Sequence, residues 1–295
     1  MTASLPSSAG IAALARDAEW PQHEWASLEL PPSWTDELSF RRARDVVAFL
    51  RCFLGRPASV RLPAGLPGAE RLPSYLLQPF HRMPNGNFSR TFVQGYARGF
   101  DVSMLGRMGA ARARLAAWLG GARRALDVGC GAGGLAAALD AAGVPEVVGL
   151  DPSPYLLREA ARRHPRVRFV QGLAEATGFP ARAFDAAGVC FVFHELPGEI
   201  TVRAFAELAR VLVPGGRLAI VEPSAIQRLE WRPRRLVRSG GLAALYFAVL
   251  ARLVYEPYLF EWQRCEPEKL LAAAGFALEE SSSELPFRYL LARRL

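Results

Sequence analysis

The stretch LDVGCGAGG (residues 126–134) joins the end of a buried strand to a turn almost free of side chains. Leu126 and Val128 read as the last residues of a parallel strand. Gly129, Gly131, Gly133 and Gly134 permit positive φ angles and a close backbone approach that bulkier residues block. Asp127 interrupts the apolar run, and a carboxylate there costs desolvation free energy unless a cation or a donor meets it. A turn of this composition is built to receive a ligand.

Outward from the turn, strands alternate with helices. ALDVGC reads as a strand, GGLAAALDAAG as a helix closed by Gly143, and EVVGLD as a second strand ending on Asp151. PYLLREAARRH is the next helix, VRFVQG and FDAAGVCFVF are the next two strands, and EITVRAFAELARVL is a helix ended by PGG before the strand RLAIVEP. PEKLLAAAGF reads as a last helix, and FALEESSSEL and FRYLLARRL as two closing strands. This alternation predicts βαβ units, hence a doubly wound, Rossmann-like α/β sheet of seven strands covered on both faces. Residues 1–110 lack it. They carry arginine-rich helical stretches such as 36–54 and a polar, turn-rich loop at 79–90, and so read as a helical cap on a core of residues 111–295. A helical insertion is expected at about 225–264, after the fifth strand.

At 295 residues and 51% hydrophobic, the chain can bury a large core plus an add-on. The net charge of +8 would ordinarily suggest nucleic acid or anionic lipid. Lys269 is the only lysine, the other cations are arginines and alanine is abundant, which is the habit of a GC-rich genome, so nucleic acid is not the expected partner. Cys52, Cys130, Cys190 and Cys265 form no Cys-x-x-Cys pair and no cluster with histidine, so neither a disulfide framework nor a metal site is indicated. The first twenty residues lack the pattern of a secretory signal. The longest apolar run, 240–251, is too short to span a bilayer. A cytoplasmic protein, soluble or peripheral to a membrane, is expected.

A glycine turn after the first strand, with Asp151 ending the second, is a signature of nucleoside cofactors: the turn admits the ligand and the acid holds ribose hydroxyls. Gly129-x-Gly131-x-x-Gly134 alone fits NAD equally well. Asp127 directly before the turn, FDAAGVCFVFHEL at the fourth strand, LVPGGRLAIVEP at the fifth, and the closing helix and two strands together resemble the class I S-adenosylmethionine-dependent methyltransferases. The resemblance covers about residues 111–295 and is greatest to small-molecule enzymes of the ubiquinone and menaquinone type; PFHRMPNGNFSRTFVQGYARGFD resembles a cap found on some bacterial members.

The resemblance implies an antiparallel C-terminal strand and S-adenosylmethionine as cofactor, leaving S-adenosylhomocysteine. Gly129, Cys130, Gly131 and Gly133 would line its methionine and ribose portion, Asp127 would meet the amino group, and Asp151, with Pro152 beside it, the ribose. Where the family often has Gly-Asp-Ala after the third strand this chain has Gly172-Leu173-Ala174-Glu175, so Leu173 would pack on the adenine while Ala174 and Glu175 supply polar contacts. Cys190 and Phe191 would face the methionine end. His194 is the expected general base, oriented by Glu195, because it follows the fourth strand at the carboxyl edge of the sheet. His81, Asn85, Asn87 and Tyr96 would reach the acceptor from the cap.

The Leu- and aromatic-rich insertion suits an acceptor that is small and hydrophobic, a natural product or quinone-like molecule methylated on oxygen or carbon. RLEWRPRRLVR, upstream in that insertion, offers a face for peripheral membrane contact. An RNA or protein methyltransferase, an NAD-dependent oxidoreductase and a non-catalytic nucleoside-binding protein are the alternatives.

Overall fold

The computed structural model describes residues 20, 22–39, 41–54, 59–225 and 232–295. Residues 228–231 of the expected interfacial stretch 228–238 lie outside them. Seven strands form one sheet: β1 (Arg124–Val128), β2 (Glu146–Asp151), β3 (Arg168–Gln171), β4 (Phe184–Cys190), β5 (Leu212–Pro223), β6 (Phe276–Glu284) and β7 (Phe287–Arg294). Their order is β3-β2-β1-β4-β5-β7-β6. The first five are mutually parallel, and β7 runs antiparallel to both β5 and β6. Every residue of β1 is buried, as a strand covered by helices on both faces requires. The chain winds outward from β1 to β3 and returns to β4, so the strand order reverses between β1 and β4. Ligands of doubly wound sheets bind above the carboxyl ends of such a pair.

In the core, α3 (Met108–Leu119), α4 (Gly134–Ala141), α5 (Pro154–Arg163) and α6 (Gly198–Val211) accompany the parallel strands. Ser153 caps α5, its Oγ accepting from the Leu156 N–H at 3.3 Å, with Pro154 opening the helix. After β5 come α7 (Pro233–Leu253), α8 (Leu259–Arg264) and α9 (Pro267–Ala273). The fourth strand ends at Cys190 rather than running to Phe193, because Phe191 turns left-handed (φ 62°) and the Val192 and Phe193 N–H groups donate to Glu222 Oε1 at 2.8 and 2.7 Å.

The expected helical cap contains α1 (Ala43–Leu54) and α2 (Arg90–Ser103), but most of its described length is turns and single 3-10 turns. Side chains replace the missing secondary structure. Asp36 accepts from Ser89 Oγ at 3.0 Å and the Thr91 N–H at 2.8 Å, fastening the start of α2, and against the opposing effect of burial the donors of Thr91 and Ser33 hold its carboxyl below the usual range. Cap residues Trp20, Leu30, Leu66, Phe88 and Val93 pack with Tyr155 and Leu156 of α5 in a small core of their own. The loop at 79–90 is not a solvated one: Phe80, Asn85 and Phe88 are buried. Asn85 Oδ1 accepts from Trp34 Nε1 (3.1 Å) and the Arg61 N–H (2.7 Å), and Nδ2 donates to the Phe88 carbonyl (2.6 Å). Asn85→Ala should strand both donors and lower stability by about 2–4 kcal/mol, measured by urea unfolding.

Candidate functional site

Above the carboxyl ends of β1, β2 and β4 lies a cavity of about 360 Å³, walled by the core below and by the cap above. That places it among sites for small molecules. The glycine turn forms its floor, contributing Gly129, Cys130 and Gly131. Gly131 adopts φ 52°, and a Cβ there would project into open space, so the turn presents bare backbone. Gly133 is not part of the lining; its missing side chain makes room for His164 and Phe169.

Two carboxylates meet this floor. Asp151 ends β2, and its Oδ2 accepts from the Gly131 N–H and its Oδ1 from the Ser153 N–H, both at 2.9 Å. Asp127 is the last residue but one of β1; its Oδ2 accepts from the Ala136 N–H at 2.8 Å, while its Oδ1 is buried with no hydrogen-bond partner among the described residues. Burial pushes both carboxyls up to about 7, and neither has a cation in direct contact among the described residues. Arg112 of α3, which the sequence reading passed over, lies across the start of α4: a Cβ on Gly134 would stand 2.8 Å from its guanidinium. Arg112 is held by Asp101 of α2 at 2.9 Å, lines the cavity and favours the charged form of Asp127.

Pro152, Leu173 and Ala174 line the opposite end. Glu175 does not; its Oε1 accepts from Tyr75 Oη at 2.6 Å, behind the lining. Asn87 of the cap stands at this end, with its Oδ1 buried and without a partner, and its carbonyl accepts from Ser153 Oγ at 2.6 Å. Cys190 and Phe191 line the side nearest β4, facing Tyr96 and Phe100 of α2. Phe100 and Phe191 meet edge to face at 5.5 Å.

Of the two expected catalytic residues, Glu195 lines the cavity and His194 does not. His194 is 1% exposed, with Nδ1 donating to Glu222 Oε2 at 2.7 Å and Nε2 3.8 Å from Glu256. Glu222, the residue that ends the fourth strand early, thus also draws this imidazole inward. His81 stands behind the wall as well: Nε2 is 3.0 Å from Glu195 and 3.1 Å from Tyr96 Oη, and Nδ1 is 3.3 Å from Glu256. Asn85 is occupied in the cap and does not reach the cavity. Although burial opposes it, the surrounding carboxylates raise His81 to about 10 and His194 to about 9, so both are imidazolium at neutral pH.

Residues 125–216 match the model of a methyltransferase domain family. The demethylmenaquinone methyltransferase of Thermus thermophilus is 37% identical over 171 residues, 53% of this chain and 75% of that one. The chain belongs to the S-adenosylmethionine-dependent methyltransferases. The trans-aconitate 2-methyltransferase of Methylobacterium radiotolerans is 40% identical over 121 residues, 40% of this chain and 45% of that one, so this methyltransferase spans under half of that relative. A solved S-adenosylmethionine-dependent methyltransferase from Aquifex aeolicus is 18% identical over 70% of this chain and all of that one, with a TM-score of 0.49.

The cofactor is S-adenosylmethionine, and the dinucleotide reading of the glycine spacing falls away. The cavity fits it on its own chemistry: the partnerless Asp127 Oδ1 suits an ammonium, and the bare backbone at Gly131 leaves room beside Asp151. An ammonium on Asp127 must displace the proton that burial holds there up to about pH 7. Affinity for S-adenosylhomocysteine should therefore rise about tenfold per pH unit from about pH 5.5 towards 7, and Asp127→Asn should weaken binding and flatten that slope in calorimetry.

The two histidines act in the opposite sense. With folded values above the ordinary 6.5, their contribution is complete below about pH 6.5 and lost as pH rises through about 9 and 10. Through these two groups melting temperature should fall between about pH 6.5 and 10, and His81→Gln should reduce that fall.

Proposed function

We propose that this methyltransferase acts on an oxygen or carbon of a small hydrophobic or aromatic acceptor, with Glu195 as the pocket-facing base. One observation carries the reading: the Glu195 carboxylate and Tyr96 hydroxyl share the His81 imidazolium at 3.0 and 3.1 Å, in a wall otherwise made by Phe100, Phe191, Val192 and Leu196. The similarity to a demethylmenaquinone and a trans-aconitate methyltransferase, both named for small acceptors, supports the acceptor size.

When bound, S-adenosylmethionine supplies a methyl group carried on a cationic sulfur. Asp127 holds the ammonium of its amino-acid tail and Arg112 the carboxylate. The Asp151 oxygens, each with one N–H already in place, retain lone pairs for the two ribose hydroxyls. Leu173 packs on the adenine, and Asn87 Oδ1 accepts from its amino group, the role expected of Glu175.

His81 donates from both ring nitrogens, so Tyr96 Oη accepts there and directs its own proton into the cavity. Tyr96 thus orients an acceptor oxygen, and Glu195 removes the proton that the acceptor loses. His194 holds Glu222 and the turn that carries Glu195; it does not touch the acceptor. The domain boundary is taken at residue 110, and the cap residues that line the cavity exclude water from the transfer.

The direct test is methyl transfer from labelled S-adenosylmethionine to naphthoquinols, catechols and small tricarboxylates, with transfer RNA and denatured protein alongside. Labelling confined to the macromolecules would overturn the acceptor class. With a working acceptor, Glu195→Gln should lower kcat at least about 100-fold with S-adenosylhomocysteine affinity held within about twofold, and unchanged turnover would remove the base assignment. Asn87→Ala should weaken S-adenosylhomocysteine about tenfold.

A further inference from the structure

Helix α7 is apolar on two faces. Its inner face, Leu236, Ala244, Phe247, Ala248 and Ala251, is buried against the protein. The opposite face of a helix on a protein surface is normally polar. Here it carries Leu242, Tyr246, Val249 and Leu253, spaced four, three and four residues apart on one side and exposed by 76%, 39%, 37% and 62%. The stripe continues onto the end of α2. Tyr246 Oη donates to the Ser103 carbonyl at 2.9 Å, beside Val102 at 75% and Leu105 at 50% exposure. Such a contiguous apolar surface marks an interaction site rather than a scatter of single residues.

We propose that α7 and the end of α2 dock this protein onto an anionic lipid surface. The charge around the stripe selects that occupant. Residues 233–253 contain four arginines, at 234, 235, 238 and 252, and no carboxylate, in a chain of net charge +8. A second copy of the chain would oppose arginines to arginines. Anionic headgroups complement them while the apolar side chains enter the boundary below. The helix lies on the bilayer rather than crossing it: no described helix is long and apolar enough to span, and α7 breaks at Gly240 and Gly241, where φ is −154° and 66°. The surface also adjoins the cavity, since Val102 directly follows Phe100 and Asp101, which line it. The docking claim stands apart from the acceptor reading and is tested without turnover.

The full chain is sedimented with phosphatidylcholine vesicles and with vesicles of phosphatidylcholine and phosphatidylglycerol, at low and high salt. Binding is expected to the anionic vesicles, weakened by salt, and to be about tenfold less to neutral ones. Leu242→Glu/Val249→Glu/Leu253→Glu should abolish it with S-adenosylhomocysteine binding intact. Arg234→Glu/Arg238→Glu, which changes only exposed positions, should weaken binding and remove most of the salt dependence. Vesicles should also slow hydrogen exchange across residues 237–253 of the unaltered protein. No sedimentation with anionic vesicles, binding indifferent to both sets of substitutions, or a dimer in solution that the triple variant converts to monomer would overturn the proposal.

Discussion

Two carboxylates buried at adjacent strand ends, hydrogen-bonded among the described residues to backbone N–H groups, are the constraint around which this molecule is arranged. Asp127 and Asp151 lose their hydration without gaining a cation in contact, and both are pushed up to about 7. The fold tolerates them because β1 and β2 end side by side, where the glycine turn and the first turns of α4 and α5 supply donors. Raised values in an acid cost stability as pH climbs from the ordinary carboxyl range towards 7, a cost that a cation placed against them would offset.

The core was legible in the sequence because its signals are local and periodic. Strand and helix order follow from periodicity and punctuation, and seven strands appear in the expected chain order. Sequence reading weakened where a side chain's partner lies far along the chain. His194 looked catalytic from its place after β4, yet Glu222, 28 residues on, turns it inward. Glu175 looked free to reach adenine, yet Tyr75 of the cap, 100 residues away, takes its carboxylate. Arg112 gave no signal within an arginine-rich helix. The cap loop read as polar surface, because nothing local reveals that Asn85 replaces backbone partners in a buried turn.

The cap and the core are joined by charge as much as by apolar packing. Asp101 of α2 grips Arg112 of α3 beside the start of α4, and His81 grips Glu195 at the aromatic side of the cavity. Glu256, from the segment after α7, adds a third anchor to His81. The cavity's walls are therefore set by ion pairs between segments, while its floor is set by backbone.

The His81 cluster also has a consequence for how the protein is made. Its members stand at positions 81, 96, 195 and 256, and β7, the strand that lines β5, comes later still. On a ribosome the glycine turn and both aspartates emerge with much of the sheet still unsynthesised, but the contact of His81 with Glu256 closes only once residue 256 has followed. The ligand-binding floor can thus take shape early, whereas the wall that would do the chemistry is assembled last, from contacts that close long loops.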